Sequence, residues 1–446
     1  MKRRNFIQKT GVSLAGGLVL APGLMHGASL ISKNDKVNIA VIGCNGMGWA
    51  NANSLLKMQD VDLVAICDVD KNVIAKRVDD YATLRKNKPA TYTDYRELLK
   101  DKSIDAVVIG TPDHWHCKMM VDAVQAGKHV YVEKPVANSI EECNLMVAAQ
   151  EKTKKIVQAG QWQRSGPHYR KAIEIVRSGV LGKIRLVKVW AYQGWMKPVL
   201  VKPDTTPPEG VDYNMWLGPA PKRPFNENRF HFNFRWFWDY AGGLMTDWGV
   251  HEIDIALYAM EASAPLTVTA GGGKLAYPDD ASETPDTLQA MFQYEKFNML
   301  WEHATGIDNG NYNRREGIAF IGNNGTLVVD RGGYEVLPEH EADGYAKSGR
   351  AKMQPIEAYV KPQELNYLDL HSVNFIEAIR KNDQSHLNTP IKSGSVAAIN
   401  AQMGNIAYRT GTKVQWDAGQ GKFKDNNEAN KYLSAEYHNG YKIPAI

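Results

Sequence analysis

Strand-like apolar runs alternate with helical patterns over residues 36–161, and this alternation limits the possible folds more than any other feature of the chain. The runs lie at Val37–Gly43, Val61–Asp68, Ala106–Gly110, His129–Glu133 and Ile156–Gln161. The helical patterns between them lie near residues 46–58, 70–85, 95–101, 113–126 and 139–151. Continuous apolar strands separated by helices are typical of a parallel sheet covered on both faces. We therefore predict an α/β fold whose first domain, residues 36–161, is a doubly wound parallel sheet.

The pattern changes after Ser165. Helical patterns lie near residues 167–178, 242–260, 367–380 and 395–408, a strand-like run covers 184–193, and five more short runs fall between 266 and 329. Closely spaced strands with short turns, such as Asn323-Asn324-Gly325, favour an antiparallel sheet. Because 446 residues exceed one ordinary core, we predict a second, α+β domain over residues 162–446, with a largely antiparallel open sheet.

A glycine-rich turn, Gly43-Cys44-Asn45-Gly46-Met47-Gly48, follows the first run and opens the first helical pattern. It is the G-x-G-x-x-G dinucleotide fingerprint of Rossmann domains, with Asn at the middle position. Gly43 would make the tight turn, Gly48 would let helix and strand pack closely, and the pyrophosphate would lie at the helix N-terminus. Asn45 tolerates left-handed backbone better than most residues, and Gly46 can absorb the rest of that demand. We predict that Gly43, Asn45, Gly46, Met47 and Gly48 bind the dinucleotide.

Asp68 ends the second run, twenty residues beyond Gly48. An acid at this point accepts hydrogen bonds from the ribose hydroxyls of NAD and repels the 2′-phosphate of NADP. No Arg follows closely, and Lys71 is the only nearby cation in the sequence. The sequence therefore predicts NAD as the cofactor.

The first 28 residues are typical of an export signal. A paired-arginine segment, Lys2-Arg3-Arg4-Asn5-Phe6-Ile7, precedes a weakly apolar stretch from Gly11 to Met25 and then small residues. The stretch is shorter than the roughly 20 residues that span a membrane, and twin arginines before Phe and an aliphatic residue resemble a Tat signal. We predict export by the Tat machinery to the periplasm or another place outside the cytoplasm, with a mature protein that is not integral to the membrane. A cytoplasmic protein with a basic amphipathic start is the alternative.

The net charge argues against nucleic acid as a partner, and the spacing of the cysteines argues against a metal site. Removing the four cations of residues 1–28 from the 53 Lys and Arg leaves 49, which equals the 49 Asp and Glu. The remaining chain has no basic excess to attract nucleic acid, so we predict none. The four cysteines, Cys44, Cys67, Cys117 and Cys143, lack metal-ligand spacing. We expect small core residues and no metal site.

Three segments carry residues suited to proton transfer. Thr111-Pro112-Asp113-His114-Trp115-His116 and Glu133-Lys134-Pro135 follow two of the runs, at strand ends where open parallel sheets bind ligands. The third segment, Gly242 to Asp254, would place Asp247, His251 and Asp254 on one face of a continuous helix. A carboxylate one turn from an imidazole can orient it and hold its proton.

Together, the turn at 43–48, Asp68, Thr111-Pro112, Glu133-Lys134-Pro135 and Asp247-x-x-x-His251 resemble the glucose–fructose oxidoreductase/inositol dehydrogenase family (Gfo/Idh/MocA). The resemblance extends from about Lys36 to beyond Tyr408. The segments 163–168 and 404–411 resemble an exported bacterial branch of that family.

The resemblance implies roles for three residues. Lys134 and His251 would form the catalytic acid/base pair, and Asp247 would contact the substrate or support His251. Lys134 would bond to the reacting oxygen while His251 exchanges its proton, as hydride passes between the substrate carbon and C4 of nicotinamide. Because an unperturbed His titrates near ~6.5, His251 would need little tuning. The Lys134–Pro135 bond would be cis, as is common in such proteins.

Further side chains are candidates for ligand contacts. We predict that Thr111, Pro112, His116, Glu133 and Lys134 contact the cofactor. Trp162, Gln163, Arg164 and His168 follow the last run and are predicted to line the substrate cleft with Asp247 and His251. The segment Phe230–Tyr240 is rich in aromatics and is flanked or interrupted by Arg229 and Arg235. Sugar stacking and core or subunit packing are both open there.

These features favour an NAD(H)-dependent oxidoreductase that acts on a hydroxyl or carbonyl group of a sugar, polyol or glycoside. Because free NAD is scarce outside the cytoplasm, an exported enzyme of this kind would retain its cofactor or recycle it. Two alternatives stay open: a glycosidase of the same fold that oxidises, eliminates, adds water and reduces, and a non-catalytic sugar or nucleotide sensor. The expected partners are a small sugar-like substrate and, by family resemblance, further copies of the chain.

Overall fold

The computed structural model describes residues 36–446, of which residues 37–446 form one compact unit. The predicted export signal at residues 1–28 lies outside the described residues. The strands are β1 (Val37–Ile42), β2 (Val61–Cys67), β3 (Ala90–Tyr92), β4 (Ala106–Ile109), β5 (His129–Val132), β6 (Val157–Ala159), β7 (Leu186–Gln193), β8 (Thr267–Gly273), β9 (Thr287–Gln293), β10 (Asn298–Thr305), β11 (Glu316–Ile321), β12 (Gly325–Asp330), β13 (Gly333–Pro338), β14 (His340–Asp343), β15 (Ala346–Ala351), β16 (Tyr359–Val360), β17 (Val414–Asp417) and β18 (Lys422–Phe423). The helices are α1 (Gly46–Leu55), α2 (Lys71–Leu84), α3 (Tyr95–Leu98), α4 (Asp113–Gln125), α5 (Ile140–Thr153), α6 (Pro167–Arg177), α7 (Tyr213–Leu217), α8 (Gly243–Asp247), α9 (Gly249–Met260), α10 (Tyr367–Lys381), α11 (Ile391–Thr410) and α12 (Asn427–Asn430).

The first six strands form a parallel sheet in the order β3-β2-β1-β4-β5-β6. This confirms the predicted doubly wound sheet, and each predicted run contains one of its strands. The strand β3 was not predicted. It has only three residues, pairs with β2 alone at the sheet edge, and is largely exposed, so it produces no apolar run.

One face of this sheet is covered by a helix from the far end of the chain. Phe375 and Ile376 of α10 are fully buried in the same apolar cluster as Ile39 and Val41 of β1. The helix α10 also packs on α1. The core of the first sheet therefore extends past residue 161 and includes residues more than 200 positions later.

The second sheet has ten strands in the order β16-β13-β12-β11-β7-β10-β9-β8-β17-β18. Its pairs are antiparallel except β7 with β10, so the prediction of a largely antiparallel sheet is confirmed. Although β7 is the first of these ten strands in sequence, it lies in the middle of the sheet, between β10 and β11. The helices α6, α9 and α11 pack against this sheet.

The single helix predicted over residues 242–260 is wrong: two helices, α8 and α9, are separated at Trp248. The His251 N–H donates to the Trp248 carbonyl at 3.0 Å rather than to the Asp247 carbonyl, as a continuous α-helix would require. The freed Asp247 carbonyl accepts a hydrogen bond from Lys134 Nζ at 2.9 Å. The Lys134 side chain, 113 residues away in sequence, thus replaces the hydrogen bond that the next helical turn would have made to this carbonyl.

Two further observations concern the described residues. The four cysteines are free and buried, which confirms their prediction as small core residues. No helix within residues 36–446 is both long and apolar enough to cross a membrane.

Candidate active site

A cleft of about 450 Å³ opens at the carboxyl ends of β1, β2, β4 and β5. Its walls come from the glycine-rich turn, the turns after the other three strands, and a segment of the C-terminal part of the chain. The lining residues include Gly43, Asn45, Gly46, Met47, Asp68, Thr111, Pro112, Asp113, Glu133, Lys134, Phe230, His231, Phe232, Phe234 and Arg235.

The glycine-rich turn has the geometry that a phosphate needs. A Cβ on Gly48 would lie 1.9 Å from the Gly43 carbonyl oxygen, so only glycine allows this close packing of helix and strand. Gly46 has φ +46° and open space where a Cβ would be. Asn45 is extended, with φ −89°, and its side chain accepts a hydrogen bond from Gly46 N. Of these two neighbouring residues, Gly46 therefore adopts the left-handed conformation and Asn45 does not.

Asp68 and Thr111 present polar groups to the same cleft. The Asp68 carboxylate accepts hydrogen bonds from Cys44 N at 2.9 Å and Asp70 N at 3.1 Å, which fix it at the wall although burial raises its pKa. The Thr111 hydroxyl is buried and has no hydrogen-bond partner among the described residues. An open helix N-terminus, a fixed carboxylate and an unpartnered hydroxyl fit the phosphates, ribose and amide groups of a dinucleotide.

A segment of the C-terminal part of the chain closes the outer side of this cleft. His231, in the helical turn His231–Trp236, places Nε2 3.3 Å from Asp70 Oδ2, and its Nδ1 lies 3.5 Å from Asn45 Nδ2. Nearby, Asp212 N donates to the Val69 carbonyl at 2.8 Å. We call the segment 205–236 the clasp.

Lys134, Arg235 and Asp247 form one ionic cluster at the edge of the cleft. Lys134 Nζ lies 2.8 Å from Asp247 Oδ1, and Arg235 Nε lies 3.1 Å from the same oxygen. Burial alone would raise the pKa of Asp247, but the two cations outweigh it and hold that pKa at about 2. The carboxylate is therefore ionised throughout the neutral range. The Lys134–Pro135 bond is cis, as the family resemblance implied.

His251 lies beside this cluster, but its environment differs from the expectation. Burial, then the Lys134 and Arg331 charges, lowers the pKa of His251 well below its usual value. Among the described residues the Nδ1 atom is buried and has no hydrogen-bond partner, and the Asp247 carboxylate bonds to Lys134 and Arg235 instead. Two expectations are therefore wrong: Asp247 does not orient His251, and the imidazole is strongly perturbed. His251 is also not part of the cleft wall; it contacts the rings of Trp162 and Trp248.

Of the four residues after the last run that were predicted to line the substrate cleft with Asp247 and His251, three are held inside the protein. Gln163 is fully buried and accepts hydrogen bonds from Arg331. Arg164 forms a two-bond ion pair with Asp254, at 2.7 Å for each bond, and His168 Nε2 lies 3.0 Å from the Asp330 carbonyl oxygen. Only Trp162 stands partly open beside His251.

His116 supports the site from behind, whereas Glu133 lines the cleft. The His116 ring nitrogens lie 2.7 Å from the Pro135 carbonyl and 2.8 Å from the Thr111 carbonyl, and burial lowers the pKa of His116 to about 4. It braces the two strand-end segments and does not line the cleft. Glu133 accepts a hydrogen bond from Asn51 at 2.8 Å, which connects it to α1.

Sequence analysis missed the positions of three charged residues near the site. Asp113, the first residue of α4, lines the cleft, and burial raises its pKa to about 8 against the opposing effect of Arg235 and Lys134. Arg235 had been singled out only within an aromatic segment. Arg331 lies in the turn between β12 and β13, where no motif marks it. Within residues 36–446 no cluster of three or more His, Cys, Asp or Glu could hold a metal ion.

Several known proteins are similar to this chain. Over 201 residues it is 32% identical to a "Glycosyl hydrolase family 109 protein" of Shewanella baltica, covering 41% of this chain and 44% of that protein. It is 31% identical over the same length to an "Alpha-N-acetylgalactosaminidase" of Shewanella oneidensis, with the same coverage. The alignment thus spans less than half the length of these relatives.

Solved structures share the fold. A levoglucosan dehydrogenase in complex with NADH and levoglucosan superposes with a TM-score of 0.65 at 17% identity, covering 86% of this chain and 99% of the other. An aldose–aldose oxidoreductase from Caulobacter crescentus gives a TM-score of 0.62 at 18% identity, covering 85% of this chain and 100% of the other.

Two family models match successive parts of the chain. The model described as "Oxidoreductase family, NAD-binding Rossmann fold" matches residues 37–161. The model described as "Oxidoreductase family, C-terminal alpha/beta domain" matches residues 166–317. Together they cover more than half of the sequence, and they follow each other over the first sheet and the first part of the second. The chain belongs to the Gfo/Idh/MocA oxidoreductase family.

Proposed function

We propose that this protein is an NAD(H)-dependent oxidoreductase that acts on a hydroxyl or carbonyl group of a sugar, polyol or glycoside. One observation carries the proposal. The Lys134 ammonium borders the dinucleotide cleft and is close enough to His251 for its charge to lower the pKa of that imidazole. A cation and a neutral imidazole beside a nicotinamide site are the groups that an alcohol–carbonyl interconversion needs.

Asp247 fixes the Lys134 ammonium. Two of the three ammonium N–H groups bond to the Asp247 carbonyl and carboxylate, at 2.9 and 2.8 Å. The third remains for a substrate oxygen. Because the pKa of Asp247 is held at about 2, the contact persists at any pH at which the protein operates. Lys134 would thus stabilise negative charge on the reacting oxygen.

His251 would exchange the proton of that oxygen. Its lowered pKa keeps the imidazole neutral at pH 7, so one ring nitrogen can accept a proton from a substrate hydroxyl. Nδ1 is buried, which leaves Nε2 for this step. Burial and the two neighbouring cations disfavour the imidazolium, so His251 returns the proton readily in the reducing direction. When bound, NAD(H) supplies the hydride acceptor or donor.

Steady-state kinetics with a panel of sugars, polyols and glycosides tests this function at the 340 nm absorbance of NADH. Lys134→Met and His251→Ala should each lower kcat/KM about 100-fold or more for any substrate that turns over. Lys118→Met is the matched control, because Lys118 pairs with Asp122 within α4 and does not line the cleft. Variants at Lys134 and His251 that keep wild-type rates would refute the assignment.

A second candidate is an NAD-recycling glycosidase of the same fold. The support is the 201-residue similarity to relatives named as glycosyl hydrolase family 109 proteins, together with a cleft closed by the clasp, which favours a cofactor that stays bound. Release of nitrophenol from nitrophenyl α-N-acetylgalactosaminide, without added NAD and without net NADH, would favour this reading over net oxidation. Tight sugar binding with no turnover in either assay would instead favour a sensor.

Three further expectations belong to this proposal. The clasp should retain NAD, and native mass spectrometry of the purified protein tests this. The paired arginines should direct Tat export, and Arg3→Lys with Arg4→Lys should abolish appearance of the protein outside the cytoplasm. Residues on the open side of the ten-stranded sheet, such as the half-exposed Met291, should form a contact between copies, and sedimentation of a Met291→Glu variant tests that.

A further inference from the structure

Arg331 is a cation without a carboxylate partner at the site. Its guanidinium carbon lies 4.3 Å from the ring centroid of Trp248 and 4.8 Å from that of Trp162. The same two indoles contact the imidazole of His251, with ring centroids 6.3 and 5.8 Å apart. Arg331 is therefore a neighbour of the residue proposed to move the substrate proton.

The Arg331 charge interacts with the carboxyls of Glu252 and Glu316, but Arg331 forms no ion pair with either of them. None of the ion pairs between described residues includes Arg331. Its only hydrogen bonds there go to the neutral Gln163 Oε1, from Nε at 3.3 Å and Nη2 at 3.2 Å. The Gln163 amide donates in turn to the carboxyl of Glu252 at 3.2 Å. Burial raises the pKa of Glu252 to about 8, so that acid is mostly uncharged at pH 7.

The guanidinium has one edge free for a ligand. Nε and Nη2 donate to Gln163, whereas Nη1 and the second N–H of Nη2 make no hydrogen bond to the described residues. Two parallel N–H groups on one edge match the two oxygens of a carboxylate. Contacts with Trp162 and Trp248 hold the plane of the group, so little side-chain entropy is lost when an anion binds.

The charges of neighbouring residues also favour binding of an anion at this place. Lys134 and Arg235 share the single carboxylate of Asp247, which leaves this cluster with an excess positive charge. An anionic group on a substrate would therefore meet Lys134 and Arg235 in addition to Arg331. The partly exposed Trp248 ring provides apolar surface for the face of a sugar ring, whereas Trp162 packs against Tyr367, with ring centroids 4.7 Å apart.

We propose that Arg331 selects sugars that carry a carboxylate, so that the substrate is a uronic acid or a glycoside of one. The carboxylate binds the remaining N–H groups of Nη1 and Nη2, and the ring lies against Trp248 with a hydroxyl directed to Lys134 and His251. This inference rests on the proposed sugar oxidoreductase function and names its substrate class.

Isothermal titration of the NAD-saturated full chain tests the inference with matched pairs of ligands. The pairs are D-glucose with D-glucuronate and D-galactose with D-galacturonate, and glucose 6-phosphate is added as a second anion. At least one uronate should bind about ten- to a hundredfold more tightly than its neutral partner, which is the value of a charge-assisted hydrogen-bond pair. Arg331→Gln should remove that difference while changing the neutral sugar less than about twofold.

Two further variants separate recognition from folding. Arg331→Lys keeps the charge without the two-pronged edge and should retain only part of the preference for the uronate. Arg315→Gln is the control, because Arg315 is half-exposed and pairs with Asp308 at the surface, and it should leave the preference intact. If Arg331→Gln fails to fold, Arg331→Lys still decides the outcome.

Each contrary result has a distinct meaning. A neutral sugar that binds as tightly as its uronate, or equal weakening of both by Arg331→Gln, overturns the inference and leaves the oxidoreductase function standing. Tighter binding of glucose 6-phosphate than of either uronate overturns the carboxylate assignment. If no sugar of either kind binds, the proposed function fails, and the substrate class fails with it.

Discussion

Replacing Asp247 by Asn tests the ionic cluster that fixes Lys134. The structure assigns this carboxylate a pKa of about 2 against an ordinary value of 3.8, because the Lys134 and Arg235 charges outweigh the burial that would raise it. A difference of this size corresponds to about 2.5 kcal/mol of stability at pH 7. Since the side chain is 14% exposed, solvent screening removes little of it. Asp247→Asn also leaves two cations facing each other, so the loss at pH 7 should be at least this large.

The direction of the Asp247 pKa shift determines how the stability lost in Asp247→Asn depends on pH. A carboxyl whose pKa is lowered by folding stabilises the protein fully above its unfolded pKa, and this contribution disappears as the pH falls through the folded value. The stability difference between wild type and Asp247→Asn should therefore be constant from pH 8 to about pH 5 and should shrink by about 1 kcal/mol by pH 3. Urea unfolding followed by tryptophan fluorescence at pH 7 and pH 3 measures both values.

Glu97→Gln is the matched control for this experiment. Glu97 pairs with Lys100 at 2.7 Å and both side chains are largely exposed, so loss of this surface pair should cost about 0.2–1 kcal/mol. Equal losses in the two variants, or an Asp247→Asn loss that does not change between pH 7 and pH 3, would show that the two cations do not hold the carboxylate as described.

Three shorter predictions concern the cofactor cleft and the buried acids. Gly48→Ala should abolish NAD binding and lower the melting temperature, because its Cβ would lie 1.9 Å from the Gly43 carbonyl oxygen. Calorimetry measures the melting temperature, and the control Gly419→Ala, in an open loop, should leave it unchanged. Between pH 5 and pH 9, Glu252→Gln should gain on the order of 4 kcal/mol of stability over wild type in urea unfolding, because a carboxyl whose pKa is raised to about 8 costs stability as the pH rises. His231→Ala should speed NAD release several-fold in stopped-flow displacement, since it opens the clasp at Asp70, whereas His386→Ala, at the Glu377 surface pair, should not.

The first sheet was largely predictable from sequence because burial on both faces imposes long apolar runs. Strands β1, β2, β4, β5 and β6 each lie within a predicted run, and the glycine-rich turn falls between β1 and α1. The three-residue edge strand β3 escapes this logic, since one of its sides has no partner and its residues need not be apolar.

The helix break at Trp248 could not be predicted from local periodicity. The apolar pattern continues from α8 into α9, and the carbonyl that ends α8 is satisfied by Lys134, which comes from the other sheet. The effect of this helix break on His251 could not be predicted either. Once the Asp247 carboxylate turns to Lys134 and Arg235, His251 loses the partner that helical spacing had suggested, and burial lowers its pKa.

The residues that sequence analysis missed share one property: each acquires its role from distant neighbours. Arg331 reaches the site only because β12 and β13 turn next to α9, and a single Arg in a turn has no spacing that could reveal this. Conversely, Arg164 and His168 follow a strand end in sequence, yet their polar atoms are taken by Asp254 and the Asp330 carbonyl.

The position of α10 has a consequence for biosynthesis. Phe375 and Ile376 seal the same apolar layer as Ile39 and Val41, so a nascent chain that has emerged only as far as residue 161 exposes that layer to water. A polypeptide cut at this point should aggregate or bind chaperones instead of capturing nucleotide. Residue 376 must therefore have emerged before the first sheet can mature, so cofactor loading becomes a late event.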